Sequence, residues 1–256
     1  MSRLRDAAPA AGLVLAGLVA WEAIVSAGIV DELLLPSPTQ VATALRDDRA
    51  LLGADLLVTA WEVVAGLAVA VAIGAGLAVA MHLFTGVRRA LKPLVVGSQA
   101  VPVPVVAPLL ILVLGFGIAP KVLMVALVCF FPVTINFYDG LRSVEPDQRK
   151  VLRSFAATRW QTFRLLEAPS ALPQAFTGIR VAAAVAVIGA VFAEWAGSDS
   201  GLGHALLTAN GQLLTARAFA CVALLFALAV ALYEVFAVLE RRLVRWAPTP
   251  DPSGGP

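Results

Sequence analysis

The chain has 256 residues, of which 60% are hydrophobic and only 14% charged. A water-soluble domain carries about 25% charged residues, so too little polar surface is present here to cover a core in water. The formal net charge of +2 comes without any dense basic run, which argues against a nucleic-acid partner.

The N-terminal stretch MSRLRDAAPAAGLVLAGLVAWEAIVSAG opens basic and turns apolar, the outline of a signal peptide. Its apolar run continues past Trp21 and Glu22 to Val30 without a small-residue cleavage site, so a retained membrane anchor over about 10–30 is expected. Residues 31–55 are expected as an outer loop that holds most of the acidic residues near the first span. A second apolar run, Leu56–Met81, carries Trp61 and Glu62 near one end, where Glu62 is expected to reach the interface or water. Pro93–Pro120 has no charged residue and is the third expected span. Its prolines 102, 104 and 108 break the helical hydrogen-bond ladder, tolerated where a cavity or neighbouring protein satisfies the freed carbonyls, so it is expected to line a pore. Gly115-Phe-Gly117 and Pro120 supply a turn into a fourth span, Val122–Tyr138. Gln174–Trp195 and Ala218–Leu239 are the fifth and sixth. Each run approaches or reaches the ~20 residues needed to cross hydrocarbon. Cys129 and Cys221 lie inside apolar runs without metal-ligand spacing and read as small core hydrophobes.

Cytoplasmic loops collect Lys and Arg. With the N-terminus in the cytoplasm, fifteen of the nineteen basic residues fall inside. Only Arg46, Arg49, Lys121 and Arg217 fall outside. The fold expected is therefore an all-α integral membrane protein with six transmembrane helices and both the N- and C-termini cytoplasmic. Residues 1–54 make an N-terminal anchor helix and outer loop, 55–240 a core transmembrane domain, and 241–256 a cytoplasmic tail ending in the flexible TPDPSGGP. The Gly-rich outer segment 197–217 suggests a partly embedded segment or a short amphipathic helix.

Within the core domain, the cytoplasmic loop 140–173 is long for a connector and looks like two short helices. Pro146 suits an early helical position, and Arg149–Ala157 holds strong helix formers. Thr158-Arg-Trp-Gln161 has the form of a capping box opening a second helix, expected to end near Ala168-Pro169, with Pro173 starting the next span. Trp160, Phe163 and Leu165 or Leu166 share one face of it, flanked by Arg159 and Arg164. Aromatics with arginines suit a protein docking surface. They equally suit an interfacial helix lying on lipid headgroups.

The same loop resembles the cytoplasmic signature loop, the EAA loop, of bacterial ATP-binding-cassette importer permeases. It is most similar to the branch that imports nitrate, sulfonates, taurine and thiamine-precursor pyrimidines. That branch reads approximately A-R-T-L-G-A-S-R-W-Q-T-F, then E-L-P-A-A-L-P, then Gly-Leu-Arg. This chain has LRSFAATRWQTF at 152–163, EAPSALP at 167–173 and Gly178-Ile179-Arg180. Leu35-Pro-Ser-Pro38 and Gly201-Leu-Gly203 also match, and the resemblance covers about residues 20–245. The departures are Lys150 at the motif's Glu, Val151 and Leu152 at its alanines, Ala156 at its glycine and Ala168 before the first proline. A positive φ at Ala156 costs about 1 kcal/mol or more; a helical Ala156 costs nothing.

The resemblance implies a type I importer permease in the bacterial plasma (inner) membrane, without catalytic residues or a bound metal or cofactor. No G-x-x-x-x-G-K-[ST] occurs, so ATP and Mg belong to a partner ATPase subunit. The coupling residues it implies are Phe155, Ala156, Ala157, Thr158, Arg159, Trp160, Phe163 and Arg164. Phe155, Thr158, Trp160 and Phe163 are expected to be buried against the ATPase, with Arg159 and Arg164 at the rim. An extracytoplasmic solute-binding protein would deliver the substrate, and a homodimer would complete the path.

Polar groups within spans are expensive there and mark a path by default: Asn136, Tyr138 and Asp139 in FFPVTINFYDGLRS, and Glu194 and Trp195. FFPV, DGLR, AEW and TAN look most similar to permeases for hydroxymethylpyrimidine-type thiamine precursors. An autonomous channel or carrier and an intramembrane enzyme are the rivals. No paired carboxylates, Ser-Lys or His cluster stands at membrane depth for an enzyme, and no repeated halves for a carrier.

Overall fold

The computed structural model describes residues 2–246, with side chains at Pro9 and from Gly12 onward. The expected flexible end at 249–256 lies outside the described residues. Among the described residues the elements are helices: α1 (Ser2–Ser26), α2 (Pro38–Asp47), α3 (Arg49–Leu83), α4 (Thr85–Gly97), α5 (Val103–Leu114), α6 (Ile118–Arg142), α7 (Pro146–Ser154), α8 (Arg159–Thr162), α9 (Ala168–Gly197), α10 (Leu202–Gly211) and α11 (Thr215–Leu243). Four described helices are long and apolar enough to cross a bilayer: α3, α6, the continuous run Arg159–Gly197, and α11. The apolar part of α1, Gly12–Ser26, is shorter.

The expected third span is not a straight helix. Thr85–Ala100 and Val103–Leu114 meet at 104°. Pro102 is the N-cap of α5 and Pro104 sits in its first turn, so these prolines start a helix rather than interrupt one. Only Pro108 lies inside. Its neighbour Ala107 packs on Met124 and Ala193, while Leu112 and Val113 are exposed.

The chain divides into two compact units. One runs through Thr59 and includes Ser198–Ala227. Its construction explains two sequence matches as helix caps. In Leu35-Pro-Ser-Pro38, Ser37 caps α2 in a capping box with Gln40, and Pro38 occupies the first turn. In Gly201-Leu-Gly203, Gly201 precedes α10 at φ +104, a backbone open to glycine. Its N–H donates to Asp55 Oδ1 at 2.8 Å, and the Leu202 N–H donates to Thr59 Oγ1 at 2.8 Å. Asp55 and Thr59 stand one turn apart on α3, so one face of α3 caps α10. Arg217 grips Asp48 through two nitrogens at 2.7 and 2.9 Å. Glu22, expected near water, accepts from the Thr39 hydroxyl at 2.8 Å and ties α1 to α2.

The second unit comprises Ala60–Gly197 and the chain from Leu228 onward. Its centre is an antiparallel pair, α6 against α9. A stripe of small residues on α9 (Ala171, Ala175, Gly178, Ala182, Ala186, Ala193) is buried. Small residues let membrane helices approach closely and gain dispersion energy where lipid supplies no hydrophobic drive. At Gly178 the approach is tight: a Cβ there would stand 2.6 Å from the Pro132 carbonyl oxygen. The Cys129 thiol donates to the Ala182 carbonyl at 3.3 Å. Arg180, in Gly178-Ile179-Arg180, reaches Glu240 of α11 at 3.3 Å and lies over the Tyr233 ring.

Candidate functional site

Loop 140–173 forms two helices joined by a tight corner. α7 closes with two capping bonds: the Ala156 N–H donates to the Arg153 carbonyl at 2.9 Å, and the Ala157 N–H to the Leu152 carbonyl at 3.1 Å. This geometry needs a left-handed residue, and Ala156 takes it at φ +56. Thr158 then caps α8: its hydroxyl accepts from the Gln161 N–H at 3.3 Å and the Gln161 side chain accepts from the Thr158 N–H at 2.7 Å.

α8 does not end near Pro169. It passes through a π turn at Phe163–Glu167 and continues as α9, so Arg159–Gly197 is one element of 39 residues. The wide turn shifts the carbonyl ladder just before Pro169, which needs no N–H partner. Helix and span are therefore rigidly continuous, where the prolines alone suggested a break.

Among the eight coupling residues, exposure divides the aromatics. Phe155 and Trp160 are 78% and 60% exposed, whereas Phe163 is 8% exposed. Phe163 packs with Leu141 and Ala171 in the chain's own core. The expectation that Phe163 faces a partner is corrected by this packing: Phe163 opens the π turn with its ring against the chain's own core. Trp160 stacks on Phe163 with centroids 5.3 Å apart, so the buried ring supports the exposed one. Arg159 donates to the Leu83 carbonyl. Thr158 and Arg164 are exposed and Ala157 is half-buried.

The loop is fastened by a buried carboxylate that sequence reading missed. Glu167 Oε2 lies 2.7 Å from His82 Nε2, and its Oε1 lies 2.9 Å from Arg149 Nε. Arg149 also donates to the Leu141 carbonyl at 3.1 Å. Glu167 thereby joins the ends of α3 and α6 to α7 and the head of α9. The signal was available: Glu167 stands in the quoted motif, and His82 ends an apolar run.

The path residues do not converge. Asn136, half-buried, donates to the Pro132 carbonyl at 2.8 Å. Tyr138 is fully buried against Ala78 and Met81, and Asp139 is exposed at the helix end. Glu194 is buried and Trp195 exposed, edge-on to Phe192 at 5.4 Å. Gly178 meets Pro132, and Ala193 meets Met124. The fifteen residues from 178 to 193 span roughly 22 Å of helix, so the two groups mark opposite ends of the α6–α9 pair.

A second missed feature lies at the Glu194 end. Lys121, expected in an outer loop, is buried in the first turn of α6 with Nζ 2.7 Å from Glu62 Oε1. Glu62, expected to reach water, is 1% exposed. Burial of one charge demands the other.

With this geometry in hand, residues 70–245 match the family of binding-protein-dependent transport system inner membrane components. The chain is 38% identical over 231 residues to the riboflavin transport system permease protein RibX of Chloroflexus aurantiacus, covering 90% of this chain and 86% of that one. It is 35% identical over 231 residues to the formylaminopyrimidine transport permease protein ThiX of Halalkalibacterium halodurans, covering 90% and 92%. The taurine transport system permease protein TauC of Escherichia coli is 28% identical over 236 residues, covering 90% and 86%. The fold matches an inward-facing structure of the MetNI methionine ABC transporter with a TM-score of 0.60 at 15% identity, over 75% of this chain and 97% of that one. The chain belongs to the binding-protein-dependent transport system inner membrane components, as a multi-pass permease subunit of a bacterial ATP-binding-cassette importer.

Proposed function

We propose that the loop from α7 to the π turn docks on a partner ATPase and that the permease imports a small, flat nitrogen heterocycle. The observation that carries the docking reading is the pairing of two exposed aromatics, Phe155 and Trp160, with a base fixed by Glu167 to three helix ends. Exposed aromatics supply contact energy. The fixed base turns a displacement of the loop into a displacement of α3, α6 and α9, which coupling requires. Arg159 and Arg164 form the rim. ATP and Mg act on the partner, an extracytoplasmic binding protein delivers the solute, and a second copy completes the path. α1 and the bent α4–α5 pair complete six crossings, with both termini in the cytoplasm.

The substrate class is supported by two relatives whose names carry riboflavin and formylaminopyrimidine transport, both nitrogen heterocycles. A hydroxymethylpyrimidine-type thiamine precursor is the specific reading. Lys121, a cation buried among the spans, pairs with Glu62, which suits a neutral solute better than a sulfonate. Asn136, Tyr138, Asp139, Glu194 and Trp195 are assigned to the two mouths of the path. A taurine or sulfonate substrate is the second reading, favoured by the relative named for taurine.

The test is ATP-driven uptake in proteoliposomes holding the permease, its ATPase and its binding protein. Uptake of labelled hydroxymethylpyrimidine, unaffected by excess taurine and lost in Trp160→Glu, is expected. Uptake of taurine instead overturns the substrate, and full activity of Trp160→Glu overturns the docking surface.

A further inference from the structure

The α4 helix has three faces with different chemistry. Val87, Leu91 and Val95, four residues apart, turn inward; Val87 and Leu91 pack on Ala78, Met81 and Tyr138. Arg88, Arg89 and Lys92 form a basic face beside them. Leu94 and Val96, near the end that leads into the 104° bend, are exposed apolar residues. A basic face beside exposed apolar residues, at the end of a span, is the pattern of a helix in the headgroup layer.

A cavity of about 470 Å³ opens on this helix. Arg88, Arg89, Lys92 and Arg142 line it, with Pro93 and Val96 as an apolar side and Tyr138 as the floor. The Lys92 ammonium and the Arg142 guanidinium both lie over the Tyr138 ring, at 5.8 and 5.6 Å from its centroid. Four cations thus share one cavity without a carboxylate in its lining. Among the described residues none of the four belongs to an ion pair. Arg88 and Arg142 also border a second cavity, of about 540 Å³, lined by Arg153 and Arg159. Its carboxylate, Glu167, already holds His82 and Arg149.

We propose that the cavity between α4 and the end of α6 binds the phosphodiester headgroup of an anionic phospholipid. The phosphate sits among Arg88, Arg89, Lys92 and Arg142, and the first methylenes of an acyl chain lie along Pro93 and Val96. Cations without counter-charges and an apolar wall at the edge of the spans match both halves of such a lipid. A free phosphate would use only the first half.

The experiment uses the purified full chain in mild detergent, titrated with dioleoylphosphatidylglycerol, dioleoylphosphatidylcholine and inorganic phosphate, with native mass spectrometry and thermal unfolding as readouts. Retention of phosphatidylglycerol over phosphatidylcholine is expected. Arg89→Gln/Lys92→Gln, both at exposed positions, should weaken it about 30-fold, or about 5-fold per cation. Arg241→Gln/Arg242→Gln, at the basic end of α11, should leave it unchanged. Equal retention of both lipids, or equal loss in the α11 variant, overturns the site. Displacement of phosphatidylglycerol by inorganic phosphate at equal concentration overturns the lipid assignment in favour of a soluble anion.

Discussion

The Glu167 carboxylate lies 2.7 Å from the His82 ring nitrogen, joining the π turn at the head of α9 to the last turn of α3. Both side chains are only 11% exposed, while Arg149, on the other oxygen, is 28% exposed. Removing one partner of a buried pair costs about 3–5 kcal/mol, and water at Arg149 brings the cost for Glu167→Gln toward about 3. Phe155 and Trp160 keep their exposure in this variant, so the ATPase still co-purifies. The expected outcome is ATP hydrolysis with fewer solutes moved per ATP, read as the ratio of uptake to phosphate release. An unchanged ratio would show that the clamp is not in the transmission path.

Surface and core aromatics of the loop give opposite signatures. Trp160→Glu changes an exposed side chain and loses its stack on Phe163, so it should cost about 0.5–1.5 kcal/mol of thermal stability. It should abolish recovery of the ATPase with the tagged chain. Phe163→Ala empties a site packed by Leu141 and Ala171 and should cost about 3–5 kcal/mol. A Trp160→Glu chain that still brings down the ATPase defeats the docking assignment.

Two helices with capping box, proline start and aromatic–arginine composition were legible in loop 140–173 because those signals are local. The continuation of α8 into α9 was not. Pro169 and Pro173 read as breaks, and the π turn that accommodates the first is set by packing Phe163 and Glu167 inward. The Glu62–Lys121 ion pair and the Glu167–His82 hydrogen bond were invisible for a related reason. Each joins residues far apart in sequence, and single charges at run ends read as solvated. Ser37 with Gln40 carried a capping-box pattern that predicts α2 by the rule that found α8.

Ala156 provides a stabilising substitution. It holds φ +56 where the family motif has glycine, and an L-residue in that region carries a strain of roughly 1–2 kcal/mol. Ala156→Gly should therefore stabilise the chain by about 1 kcal/mol, net of glycine's greater unfolded-state entropy. That raises Tm by about 2–4 °C at this size. Ala157→Gly, outside the left-handed region, should bring no gain. Leu213, at φ +59 after α10, is the same device, and Leu213→Gly should behave as Ala156→Gly does. A fall in Tm for Ala156→Gly would contradict the corner geometry.

Close approach of α9 to α6 makes a sharp prediction at Gly178. A Cβ would stand 2.6 Å from a backbone oxygen and 2.8 Å from the Asn136 Cβ, neither of which can swing away. Gly178→Ala should cost about 1–3 kcal/mol, the range for overpacking. Gly76 on α3 has nothing within 4 Å of the same position, so Gly76→Ala should be neutral or stabilise by up to about 1 kcal/mol through helix propensity. Thermal unfolding of the two variants side by side checks this. Equal effects would mean the helices are further apart than described.

The Glu62–Lys121 pair separates the cost of a buried charge from the worth of the pair. Lys121→Met removes the cation and leaves Glu62, 1% exposed, facing an apolar side chain at an expected cost of about 3–5 kcal/mol. Adding Glu62→Leu removes the orphaned carboxylate, and well-packed apolar replacements of buried pairs are often neutral or better. The double variant should therefore recover the part of the loss that the orphaned Glu62 carries, measured by thermal unfolding in one detergent. Recovery of uptake is a separate readout. A double variant that folds well and still transports would make the pair a device for joining α3 to α6. One that folds well and fails to transport would mean that the path needs this charge pair where α3 meets α6.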